Sequence, residues 1–164
     1  MKLRLLITDK CDRSCEGCCN KQWDLQSLPV AGGFSKYDMI MLTGGEPMLF
    51  PSIIKSVVRE IRVTNKDAPI IVYTAKVDEI DGFFDVYYHV DGFTVTLHEQ
   101  KDVEPWYYIR QLILLNEKPM SLRLNVFKGV ELGDCDTTGW IVKRDIDWIE
   151  DCPLPEDEEF MRYT

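Results

Sequence analysis

The sequence predicts an α/β fold with a mostly parallel sheet covered by helices. Three observations lead to this. Strand-like runs alternate with helical patterns along the chain. Most of those strands are apolar throughout, as strands buried on both faces are. The length, 164 residues, suits one domain with a moderate core. No internal repeat, low-complexity tract or linker divides the chain. A single domain over 1–164 is expected, with a core at about 3–127 and a C-terminal extension at 128–164.

Leu3–Thr8 reads as a short buried strand that runs directly into a cysteine loop. Residues 20–37 hold Pro29, Gly32 and Gly33 with no helical period, so loop is expected there. Met39–Thr43 is a second apolar strand, closed by Gly44 and Gly45. Pro51 and Ser52 open a helix whose apolar positions are Ile53, Ile54, Val57, Val58 and Ile61. Pro69–Thr74 is a third strand. Asp85–Tyr88 reads as a short strand, and Gly92–Leu97 as a clearer one, rich in Thr, Val and Phe. Helix is expected at 104–117, with Pro105 in the first turn and Trp106, Ile109, Leu112 and Ile113 on one face. Leu122–Phe127 alternates as a strand, and Trp140–Lys143 is a candidate for one more. The acidic, proline-containing stretch 145–159 shows no period.

The formal net charge of −9 argues against a nucleic-acid backbone as the main partner, because phosphate binding needs a basic surface. No run approaches the roughly 20 apolar residues that span a bilayer, so no membrane association is expected. The opening MKLRLLITDK has too short an apolar stretch for an export signal. A cytoplasmic location is therefore expected. Thiols stay reduced there, and clustered cysteines more often bind metal than pair with one another.

Four of the six cysteines fall within residues 11–19, in the stretch CDRSCEGCC. The spacing is Cys11-x3-Cys15-x2-Cys18, with Cys19 adjacent. Three readings are open: an iron–sulfur cluster, a zinc site, and structural or redox thiols. Zinc usually draws two pairs of ligands, and His89 and His98 are not spaced as a finger. Three soft thiolates on one short loop suit a cluster with one iron left open. Cys19 reads as a non-ligand that packs beside the loop. Cys135 and Cys152 read as small buried hydrophobes.

The second strand ends as LTGGEPMLF, residues 42–50. Two glycines permit close backbone approach. Glu46 places a carboxylate at the carboxyl end of a strand, and Pro47 fixes the turn. In parallel sheets the chemistry gathers outside those ends.

The two motifs together, Cys-x3-Cys-x2-Cys after a first strand and Gly-Gly-Glu-Pro after a second, resemble the radical S-adenosylmethionine (radical SAM) superfamily. The resemblance covers roughly residues 3–127. It implies a compact partial (β/α)6 barrel with trimmed helices, and a 4Fe-4S cluster on Cys11, Cys15 and Cys18. The open iron would take S-adenosylmethionine, which reductive cleavage turns into methionine and a 5′-deoxyadenosyl radical that abstracts hydrogen from a substrate. Gly44, Gly45, Glu46 and Pro47 form the turn that, in the family, receives the SAM ammonium. Thr74, His98, Arg123 and Asn125 stand at later strand ends, where the family binds the rest of SAM. Arg123 is the preferred carboxylate partner, since a guanidinium matches a carboxylate bidentately. A plain surface ion pair is its alternative, and a structural histidine is the alternative for His98.

One position departs from the family pattern. An aromatic residue often precedes the third cysteine and lies near the adenine, but here the position is Gly17. The stretch CEGCCNKQW is instead similar to the glycyl-radical-enzyme activases, especially the anaerobic ribonucleotide reductase activating proteins. That resemblance implies a protein partner on which a glycyl radical is installed. A modifier of peptides or of a small nucleoside precursor is another reading within the superfamily. A non-catalytic zinc- or cluster-binding module is the alternative of a different class. The resemblance also implies an electron donor such as flavodoxin or ferredoxin. The short chain leaves the first crossover trimmed, so a protein or peptide substrate, or a second copy of the chain, is expected to close the site.

Overall fold

The computed structural model describes all 164 residues. Seven strands form its sheet: β1 (Lys2–Thr8), β2 (Met39–Gly44), β3 (Ile70–Thr74), β4 (Gly92–Leu97), β5 (Ser121–Phe127), β6 (Ile141–Ile146) and β7 (Glu158–Arg162). Three α-helices join them: α1 (Pro51–Thr64), α2 (Ile80–Tyr87) and α3 (Val103–Ile113). The strand order is β6-β5-β4-β3-β2-β1-β7, and every neighbouring pair is parallel. The sheet is open, with β6 and β7 at its two edges. The α/β class and the parallel sheet expected from sequence are therefore present.

From β2 to β5 the strands are added one after another in the same direction. Right-handed crossovers in one direction put α1, α2 and α3 on a single face of the sheet. Alternation along the strands fits that placement. Leu3 and Leu5, Ile40 and Leu42, Ile70 and Val72, Phe93 and Val95, and Leu122 and Leu124 all enter one core of 31 buried residues. Ile54, Val57, Val58 and Ile61 of α1, Phe83, Val86 and Tyr87 of α2, and Trp106, Ile109 and Ile113 of α3 pack into the same core. The intervening strand residues face the other way. Thr43, Tyr73, Thr94, Thr96, Arg123 and Asn125 lie on the face without helices. At its β1–β7 end that face carries a small apolar cluster of Leu6, Leu28 and Phe160.

Three expectations are corrected. Residues 85–88 are not a strand, because Phe83, Val86 and Tyr87 recur at helical spacing and all three are fully buried as part of α2. The helix expected at 104–117 ends at Ile113, and Leu114 and Leu115 are exposed in the turn beyond it. The tail holds a strand that its sequence does not announce. β7 pairs in parallel with β1, and only Phe160 of its five residues is buried. An edge strand with one buried position carries almost no periodic signal. The strand expected at 140–143 runs from Ile141 to Ile146. Between Cys19 and Asp38 there is no α-helix, only a 3-10 turn at Cys19–Lys21. No helix is long and apolar enough to cross a membrane.

Candidate functional site

β1 ends at Thr8 and releases the chain into the cysteine loop at the carboxyl end of the sheet. Cys11, Cys15 and Cys18 line one cavity of about 260 Å3 there, together with Gly44, Gly45, Glu46, Thr74 and His98. Cys11 is exposed, Cys15 and Cys18 are half-buried, and all three thiols are free. Burial pushes the Cys11 and Cys15 thiols up; Glu46 and Asp12 add to this at Cys11 and the neighbouring Cys18 at Cys15, while Arg13 opposes it at both. No group of three or more His, Cys, Asp or Glu side chains, the three thiols included, is arranged to hold a metal ion.

The Gly44–Pro47 turn is docked against that loop by its backbone. A Cβ on Gly44 would overlap the Thr8 carbonyl oxygen, and one on Gly45 would overlap the Lys10 carbonyl oxygen. Only glycine permits this approach. The Gly45 N–H donates to the Thr8 carbonyl at 2.8 Å, and the Glu46 N–H to the Lys10 carbonyl at 2.8 Å. Asn20 Nδ2 donates to the Gly44 carbonyl at 2.6 Å, which fixes the far side of the cysteine loop to the same turn.

Glu46 is only 2% exposed. Its Oε1 accepts hydrogen bonds from Met48 N–H at 2.9 Å and from the Thr74 hydroxyl at 2.5 Å, and its Oε2 accepts from Ala75 N–H at 2.9 Å. Burial raises the Glu46 carboxyl above its usual range, and these three bonds oppose the shift. The carboxylate thus binds the end of β2 to the end of β3. Pro47 is buried at the start of the next 3-10 turn and does not line the cavity.

His98, just past β4, stacks on Trp148 with ring centroids 5.3 Å apart and planes 10° apart, and it packs on Phe127 at 4.5 Å. Burial lowers its pKa, and Arg13 adds to the effect. Arg13 belongs to the cysteine loop. Its guanidinium forms a two-bond pair with the Asp102 carboxylate, one of them Nη1 to Oδ2 at 3.0 Å. Asp102, 5% exposed, also accepts from the His98 and Glu99 backbone N–H groups at 2.9 Å each. Burial acts to raise the Asp102 carboxyl, but Arg13 and the two N–H donors outweigh it and hold it below the usual range. This group fastens the cysteine loop to the end of β4.

Arg123 and Asn125 lie on the helix-free face of β5 and do not line this cavity. Arg123 is exposed and makes no ion pair, unlike Arg4, Arg13, Arg62 and Arg110. The structure therefore brings Cys11, Cys15, Cys18, Gly44, Gly45, Glu46, Thr74 and His98 together, and leaves Pro47, Arg123 and Asn125 outside.

Several residues at the site escape a reading of the sequence. Arg13 and Asp102 are 89 positions apart, and neither belongs to a motif. Trp148 enters the cavity wall from the unpatterned tail, where a tryptophan among acidic residues was its sole signal. The largest correction concerns Cys19 and Cys152. They form a disulfide, with Cα atoms 5.6 Å apart across a sequence separation of 133. Cys152 is buried as expected, but as half of a cross-link rather than as a free small hydrophobe. Cys135 is free and half-buried.

Compared with known proteins, the chain matches no protein-family model, and no curated protein matches it.

Proposed function

We propose that the chain is a compact radical SAM enzyme, holding a 4Fe-4S cluster on Cys11, Cys15 and Cys18 with S-adenosylmethionine beside it. One observation carries the reading: three free thiols and the Gly44–Glu46 turn, on separate strand ends, line one cavity at the carboxyl end of a parallel sheet. The donor chemistry is what fits: three free thiols on one loop line the cavity, and soft sulfur ligands favour iron–sulfur. In this reading the sheet from β1 to β6 is a trimmed partial (β/α)6 barrel, with β7 added at one edge.

When bound, the cluster and SAM supply one-electron cleavage of SAM and abstraction of a substrate hydrogen. The chain's own residues ligate, orient and shield. Cys11, Cys15 and Cys18 act as the soft donors, and Cys19 is withheld from them by its disulfide. The Glu46–Thr74–Ala75 network sets the turn, and Arg13 with Asp102 sets the cysteine loop. Arg123, exposed and unpaired on β5, is the cation available to a carboxylate. Asn125 shares its face of β5, while His98 and Thr74 lie in the cavity wall itself. A protein or peptide substrate covers the helix-free face, and a glycyl-radical partner is the first such substrate to try. A flavodoxin- or ferredoxin-type donor supplies the electron.

Anaerobic reconstitution with iron and sulfide, followed by SAM and dithionite, tests this function. Formation of 5′-deoxyadenosine that depends on dithionite is expected. Stoichiometric zinc with no SAM cleavage would instead identify a non-catalytic metal module.

A further inference from the structure

Residues 147–157 join β6 to β7, which are opposite edges of the sheet. At a strand spacing near 4.8 Å the seven strands put those edges on the order of 29 Å apart along the sheet. A linker of this length reaches at most about 36–40 Å, so it has little slack and must run across the sheet. Trp148 reaches the cavity wall early in that crossing. It stacks on His98 and Phe127, and its ring fills the space that a side chain at residue 17 would take. Cys152 then ties the segment to Cys19, in the same cavity wall as the three free thiols.

Little else holds this stretch. No backbone hydrogen bond joins residues 147–152 to the rest of the fold. The one ion pair is an exposed contact between Lys128 and Asp147 at 3.9 Å. Asp151 and Cys152 both sit in the left-handed region, at φ 60° and φ 34°; aspartate visits it at little cost, but cysteine does not. A strained backbone with few tethers relaxes once its cross-link is cut.

We propose that residues 147–152 are a redox-latched strap over the cysteine cavity. The Cys19–Cys152 disulfide holds Trp148 against Gly17 and His98. A dithiol reductant, protein or small molecule, transfers two electrons and two protons to the disulfide, giving two thiols, and is itself oxidised to a disulfide. The strap is then released and the cavity opens. The proposal concerns access to the cavity, whatever the cavity binds.

Thiol alkylation of the whole 164-residue chain tests it. Denatured air-oxidised protein should show four reactive thiols, and denatured reduced protein all six. On the folded protein, labelling by a bulky maleimide is followed residue by residue by mass spectrometry. Two variants are compared with oxidised wild type: Cys19→Ser with Cys152→Ser, which removes the latch, and Trp148→Ala, which keeps the latch and removes the cover. Both should label Cys15 and Cys18 roughly tenfold faster or more, because labelling follows the open population. The rate at Cys135 should not change. Six reactive thiols in the oxidised protein would overturn the proposal, as would unchanged rates at Cys15 and Cys18. An equal rise at Cys135 would also overturn it, by showing general loosening. The readout involves neither iron nor SAM, so it separates this proposal from the enzyme reading.

Discussion

Thr74, at the end of β3, donates a 2.5 Å hydrogen bond to the buried carboxylate of Glu46, just past β2. Glu46 therefore braces the cavity wall to which it belongs, through three protein donors. Glu46→Gln would set an amide NH2 against one of those donors and leave a buried mismatch. It should cost about 1–3 kcal/mol in denaturant unfolding. Thr74→Val removes one donor to Glu46, whose Oε1 Met48 N–H still serves, and strands the Lys76 N–H that donates to the Thr74 hydroxyl at 2.8 Å, so it should cost about 1–2 kcal/mol.

Asp102 gives the fold an acid-sensitive clasp. Its carboxyl is held below the ordinary value of 3.8, so its contribution is complete above that value and is lost as pH falls through the lowered one. Asp102→Asn should cost about 3 kcal/mol near neutral pH, since it leaves Arg13 without its charge partner. The gap between wild type and variant, measured by urea unfolding across pH, should stay constant above pH 5 or so and close as pH drops below about 4.

Gly17 and Trp148 form a steric pair. An aromatic residue at 17 would occupy the space of the Trp148 ring. Gly17→Phe should destabilise by about 1–3 kcal/mol, as overpacking does. In the Trp148→Ala background the same change should cost much less. A double-mutant cycle from thermal melts reads this coupling directly.

The sheet was legible because its central strands are continuous apolar runs and its helices carry a clear apolar face. Met39–Thr43 and Pro69–Thr74 leave no room for another reading. Residues 85–88 misled because Val86 and Tyr87 also suit a strand, and the decisive spacing to Phe83 lies outside the window. β7 was invisible because a partly exposed edge strand of five residues has no period. At the cavity, Cys11, Cys15 and Cys18 stood out by their spacing and Gly44–Glu46 by the paired glycines at a strand end, whereas Pro47 lies outside it. Arg13, Asp102 and Trp148 did not stand out, because their roles come from pairings that only the folded chain creates. The disulfide between Cys19 and Cys152 was hidden for the same reason, and an expected reducing compartment argued against it.

The most direct test of the account is the metal stoichiometry of alanine variants after anaerobic reconstitution. Wild type and Cys135→Ala should each bind about four iron and four sulfide per chain, while Cys11→Ala, Cys15→Ala and Cys18→Ala should each lose the cluster. Loss of iron in Cys135→Ala, or full retention in Cys15→Ala, would contradict the assignment of the cysteine cavity as a three-thiolate cluster site.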